Sequence, residues 1–165
     1  FTSSVAIFNR DADNLIDFIR PDVTSKYEAT NIAKVKTKGF ELNTDYRFKL
    51  NEFNQTLSFG YNYLNDDILD QNKDLSRYSL NTLKHQFITR FESKLFKNVR
   101  QNIIYKHAER TIGTSYNVWD ASVIIAVNKF NFTVTANNIF NAEYIESGFV
   151  PMPKSSLLFG LRYNL

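Results

Sequence analysis

A two-residue alternation, repeated three times within residues 116–165, constrains this chain more than any other feature. In 119–127, Trp119, Ala121, Val123, Ile125 and Val127 share one parity, while Asp120, Ser122 and Ala126 share the other. Successive strand residues point to opposite faces, so this run is a strand with one apolar face. After Asn128-Lys129 the pattern resumes, with Phe130, Phe132, Val134 and Ala136 opposing Asn131, Thr133, Thr135 and Asn137. Two such runs joined by two residues predict an antiparallel hairpin. The run 157–165 then sets Leu157, Phe159, Leu161, Tyr163 and Leu165 against Leu158, Gly160, Arg162 and Asn164.

The polarity of the second face decides between β architectures. A soluble sandwich, such as an all-β carbohydrate-binding module, buries one face of each sheet against another. Here the second face of the hairpin is Asn, Thr, Asp and Ser, and the apolar face is large and aromatic at its ends. Apolar residues towards lipid, polar residues towards a wet or plugged lumen and aromatics at both interfaces are the pattern of a transmembrane β-barrel. On this reading Val123, Ile125, Phe132, Val134, Phe159 and Leu161 face lipid. No run approaches the ~18 apolar residues of a membrane-spanning helix; the longest clean one is 123–127.

Composition is consistent with a strand-rich chain. Fifteen Phe and nine Tyr stand against one Trp and one Met, a balance that favours strands. The net charge of +3 is spread among interspersed acids and bases, so no basic stripe suggests nucleic acid as a partner. Without cysteine there are no disulfides, thiolate metal sites or thiol nucleophiles. Neither a phosphate-binding glycine loop nor a nucleophile elbow occurs, so no enzymatic chemistry, catalytic residue or cofactor is expected. Residues 1–5 lack the basic start and apolar core of a signal peptide. The chain therefore reads as a mature product or, better, as a fragment opening on a strand.

In chain order, the first strand is expected over 2–10, followed by a polar turn at 11–14, an apolar stretch at 15–19 and a loop around Arg20-Pro21-Asp22. A long strand over 31–48 opposes Phe40, Leu42, Thr44, Tyr46 and Phe48 to Gly39, Glu41, Asn43, Asp45 and Arg47. Further strands are expected near 57–63, 80–96, 99–110, 119–127, 130–136 and 157–165, which makes about eight. Short turns at 49–54, 97–98 and 128–129 alternate with longer connections at 11–30, 65–79, 108–115 and 142–154. Outer-membrane barrels show this asymmetry, with short periplasmic turns and long extracellular loops.

Isolated candidate sites carry ordinary explanations. Asp66, Asp67, Asp70 and Asp74 suggest calcium but lack the spacing and turn glycine of a dedicated loop, and a solvated loop accounts for them. His85 and His107 are single, without neighbouring ligands. Tyr61, Tyr63, Trp119 and Tyr163 suit an interfacial aromatic belt better than a platform for stacking a sugar or a corrin. Glu41, Asp45, Arg47, Arg90 and Arg162 fit a hydrated wall or a surface against a plug.

Three blocks carry a family resemblance: Asp13-Asn14-Leu15-Ile16-Asp17; residues 27–32 with Val35-Lys36-Thr37-Lys38-Gly39-Phe40-Glu41; and residues 136–144, Ala-Asn-Asn-Ile-Phe-Asn-Ala-Glu-Tyr. Together they resemble the C-terminal barrel portion of TonB-dependent outer-membrane receptors, those for cobalamin, siderophores and haem among them. The resemblance implies that residues 1–165 are the last eight strands of a barrel of about 22 strands, with plug and earlier strands outside this stretch. It implies uptake of a scarce small-molecule nutrient across the outer membrane of a Gram-negative bacterium, driven by the TonB complex through the plug. The tail resembles the signal read by the barrel-assembly machinery, through Gly160, Tyr163 and Leu165. It departs from that signal at Leu165, where an aromatic is usual, and at Leu158, where a polar residue is common. The resemblance also admits a surface lipoprotein as partner. A complete eight-stranded barrel serving as anchor or adhesin is the rival reading; it would need its first and last strands paired.

Overall fold

The computed structural model describes residues 1–68, 75–76, 83–111, 115–146 and 150–165. The described residues form nine antiparallel strands and no helix: β1 (Thr2–Arg20), β2 (Glu28–Leu50), β3 (Phe53–Ile68), β4 (Leu75–Ser76), β5 (Leu83–Phe96), β6 (Val99–Arg110), β7 (Tyr116–Val127), β8 (Phe130–Asn137) and β9 (Ser156–Tyr163). They build one sheet of order β4-β1-β2-β3-β5-β6-β7-β8-β9. Eight long strands thus form a simple meander. The two-residue β4 reaches across to the far edge of β1, opposite Ile19 and Arg20. The sheet is open, and β1 and β9 make no contact.

Three two-residue turns, at 51–52, 97–98 and 128–129, lie at one end, and the longer connections lie at the other. Asn51 and Asn128 take φ of 54° and 53°, a left-handed conformation that asparagine tolerates and two-residue hairpins use. The hairpin at Asn128-Lys129 has the expected place and register, with Val123 opposite Val134 and Ile125 opposite Phe132.

The first strand corrects the expected turn at 11–14. β1 runs through it unbroken, with only Asn14 adopting a positive φ, of 55°. Its polar residues remain in the ladder because the next strand answers them: Asp11 lies opposite Lys36 and Asp13 opposite Lys34. Lys34 also sits 3.6 Å from both carboxylates. The expected connection 11–30 accordingly contracts to 21–27. There Asp22 accepts hydrogen bonds from the hydroxyls and backbone N–H groups of Thr24 and Ser25, which hold its carboxyl well below the usual range. Likewise β3 extends to Ile68, so Asn65, Asp66 and Asp67 belong to a strand rather than to a loop.

Register carries one apolar face across the whole sheet. The row Phe132–Leu161 continues through Ile125 to Val99, and the row Leu42–Tyr61 continues through Phe87 to His107. On β1 the same face holds Val5 and Ile7, opposite Leu42 and Phe40. The other face is polar, with Ser58 donating to Asp45 at 2.6 Å and Asn62 to Gln86 at 3.2 Å. Phe8 lies there with its ring over Gly39; a Cβ on Gly39 would meet the Phe8 ring at 2.1 Å. An aromatic ring thus covers the backbone that a strand glycine leaves bare.

Candidate functional site at the loop end of the polar face

On the apolar face, aromatic rings gather at two levels. Nearer the long connections, Phe59–Phe87, Phe87–Tyr105 and Tyr105–Trp119 follow one another at ring separations of 4.7, 5.9 and 4.7 Å. Phe140 then closes edge-on against Trp119. Nearer the short turns stand Tyr46 stacked on Phe48, and Phe130 beside Tyr163. From Phe40 to Phe48 the apolar stretch of β2 covers nine residues. At about 3.3 Å each and a tilt of ~40°, that is roughly 20 Å of height. Beyond it the same face becomes charged, through Lys38, Lys36 and Lys34 and the Asp11 and Asp13 beside them.

The expected candidates fall into this frame. Val123, Ile125, Phe132, Val134, Phe159 and Leu161 share the apolar face in matched rows. Tyr61, Tyr63, Trp119 and Tyr163 lie on it too, at the aromatic levels. His85 shares its Nδ1 with the Tyr61 hydroxyl at 2.8 Å, and His107 shares its Nδ1 with Asn117 at 2.9 Å. Glu41, Asp45, Arg47, Arg90 and Arg162 share the polar face, where Arg90 sits 3.7 Å from Glu92. Asp66 accepts from the Thr37 hydroxyl and Asp67 lies opposite Lys36; Asp70 and Asp74 fall outside the described residues. No group of three potential metal ligands occurs among the described residues. Gly160 and Tyr163 lie in β9 and Leu165 just after it, with Gly160 opposite Thr133.

At the loop end of the polar face the structure assembles a cluster that sequence reasoning missed. Ala108 of β6 and Tyr116 and Val118 of β7 are buried, with Leu83, Ala142 and Tyr144 packed against them. The Tyr116 and Tyr144 rings stack at 4.6 Å. Lys106 holds its ammonium 5.6 and 5.4 Å from those two ring centres and pairs with Glu146. The Tyr116 hydroxyl donates to the same carboxylate at 3.3 Å. Burial pushes the Glu146 carboxyl up, but its bonds with Lys106 and Tyr116 outweigh this and hold it below its ordinary value.

The connection that delivers Tyr144 and Glu146 is shaped by the 136–144 block. Asn138 is almost fully buried, at 3% exposure. Its backbone N–H donates to Asp120 Oδ1 at 2.7 Å, and its side-chain Oδ1 accepts from Ala142 N–H at 2.8 Å. Its Nδ2 donates to the carbonyls of Ala142 and Pro153, at 2.9 and 3.2 Å. One amide thereby clamps the outgoing and returning arms. Asn138 and Asn141 both take positive φ, and Asn141 receives the Ser155 N–H at 3.1 Å. The asparagines of this block build a turn, and Tyr144 and Glu146 form the chemical surface its connection presents to Tyr116 and Lys106. The family model described as TonB dependent receptor-like, beta-barrel matches residues 1–142. No curated protein and no solved structure matches the chain.

Proposed function

Because this chain belongs to the TonB-dependent receptor family, whose barrels serve energy-coupled transport across the outer membrane, we propose that it forms part of the wall and rim of a receptor for one scarce nutrient. Cobalamin, siderophore-bound iron and haem are the candidate cargoes. In this reading residues 1–165 are a C-terminal segment of a barrel of about 22 strands, closed by strands outside this stretch and filled by a plug that engages TonB. The apolar face, with Val123, Ile125, Phe132, Val134, Phe159 and Leu161, meets lipid. The polar face lines the lumen, and the long connections stand outside the cell. The barrel-assembly machinery reads β9 through Gly160, Tyr163 and Leu165, and a surface lipoprotein is a further candidate partner.

The observation that carries this reading is the open two-faced sheet. Its apolar band, roughly 20 Å tall on β2 and edged by aromatics, approaches the ~25 Å band of outer-membrane barrels, its opposite face is polar, and its edges at β1 and β9 do not meet. An open edge in lipid leaves backbone groups unpaired at several kcal/mol each, which supports the reading that further strands cover β1 and β9. The test is uptake by cells whose only copy of the intact receptor is supplied or withheld, with TonB present or deleted. Labelled cobalamin, ferric siderophores and haem are offered in turn. One of them should accumulate only with both receptor and TonB. Accumulation of none, or accumulation independent of TonB, overturns the reading.

A further inference from the structure

Glu146 is bound the way a ligand carboxylate would be. An ammonium and a phenol hydroxyl reach one oxygen, and two stacked rings flank the ammonium. The two charged partners lie 40 residues apart and belong to different parts of the fold, Lys106 to the strand wall and Glu146 to the connection 138–155. We propose that Lys106 and Tyr116 form an anion-binding site at the mouth of the lumen, occupied by Glu146 until a carboxylate- or phosphate-bearing ligand displaces it and frees the connection, Tyr144 with it. The proposal rests on the lumen-facing assignment made above and adds to it the charge of the ligand and the means by which binding is felt.

The energetics suit an exchange rather than a permanent seal. The side chains of Lys106 and Glu146 retain 23% and 34% exposure, so solution anions reach the pair and water weakens it. A free anion that also packs against Tyr116 competes with Glu146 for the same donors. Arg110 adds positive charge nearby, acting on both Glu146 and Tyr116. Within the connection, Met152 N–H donates to Tyr144 O at 2.9 Å and Ile145 pairs with Pro151, so its described arms are tied to each other. Asn138 holds the base of the connection whether or not the tip is released.

The test uses the full-length receptor in detergent, carrying a spin label on a single Val150→Cys; Val150 is 64% exposed on the moving segment. Pyrophosphate is the probe anion, and chloride at matched ionic strength is the control. Pyrophosphate should mobilise the label in the otherwise wild-type receptor, and chloride should not. Glu146→Gln should release the label without any anion and bind pyrophosphate roughly tenfold more tightly by calorimetry, since the internal competitor is gone. Lys106→Met should release the label and abolish binding. The exchanged pair Lys106→Glu/Glu146→Lys should hold the label still again, which separates loss of the latch from misfolding. An immobile label in Glu146→Gln, or equal pyrophosphate binding by Lys106→Met, overturns the proposal. TonB-dependent uptake, measured in parallel, reports separately on the receptor reading. Uptake with an unresponsive label sinks the latch alone, and a responsive label without uptake sinks the receptor reading alone.

Discussion

Asn138 shows how much one side chain carries in this molecule. Its amide makes three hydrogen bonds to backbone groups, and its left-handed φ of 47° is one that asparagine adopts more readily than alanine. Asn138→Ala should therefore cost about 1–3 kcal/mol, read as a lower denaturant midpoint for the receptor in detergent. It should also mobilise residues 142–155. On the apolar face the expectation follows from depth. Val134→Arg should cost roughly 2–4 kcal/mol on folding into bilayers, as charges on a lipid face do at mid-membrane. Thr133→Arg, one residue away on the polar face, should be mild, and equal sensitivity would remove the assignment of faces. Glu146 supplies a pH dependence of definite sign. Its carboxyl is held below the ordinary value, so its contribution is complete above about pH 4.3 and is lost as the pH falls through the depressed folded value. The Val150 label should accordingly loosen on acidification and tighten again on return to neutrality.

At the scale of the strand and its connections, the prediction concerns sidedness. A protease site inserted into the intact receptor between β3 and β5, outside β4, or between β8 and β9 should be cut on whole cells, and one at 97–98 or 128–129 should be shielded; the opposite pattern would invert the topology. The division into a short-turn end and a long-connection end was legible in the sequence because turn lengths alternate, and β7, β8 and β9 were legible because one of their faces is apolar while the other is mostly polar. The upper half of β1 was not legible. Asp11, Asp13 and Asn14 look like a turn until Lys34 and Lys36 of the neighbouring strand answer the two carboxylates, and no local pattern announces a partner some 20 residues away. The mouth cluster was hidden for the same reason on a larger scale. Lys106 reads as one more charge on an alternating strand, and only the returning connection brings Glu146 and Tyr144 to it. The one available signal was the 136–144 block, whose asparagines mark a special turn without saying what the turn presents. Gln55 is a smaller case. It is buried on the apolar face, where its amide reaches the Lys94 carbonyl at 3.2 Å beside the register shift between Lys94 and Phe96, and nothing in its own strand marks that role.

For the whole molecule, the decisive question is what covers β1 and β9. Cysteine pairs placed between residues 2–10 and 157–163 should fail to cross-link in the membrane-embedded receptor. Efficient linking would show a closed eight-stranded barrel and replace the larger one. The charged polar face argues the same way, since a narrow cylinder would crowd Glu41, Asp45, Arg47, Arg90, Glu92, Arg100 and Arg162 into a lumen filled by side chains. The meander also has a mechanical side. Among the described residues each long strand meets only its neighbours in the chain, apart from the short clasp of β4 on β1. Once β9 has parted from the strand that covers its outer edge, a pull at residue 165 therefore loads one row of backbone bonds at a time, as a zip loads one tooth. Extension under a steadily rising force should advance in strand-sized jumps from β9 towards β5. A smaller jump should follow, when β4 is sheared from Ile19 and Arg20, before β3 gives way.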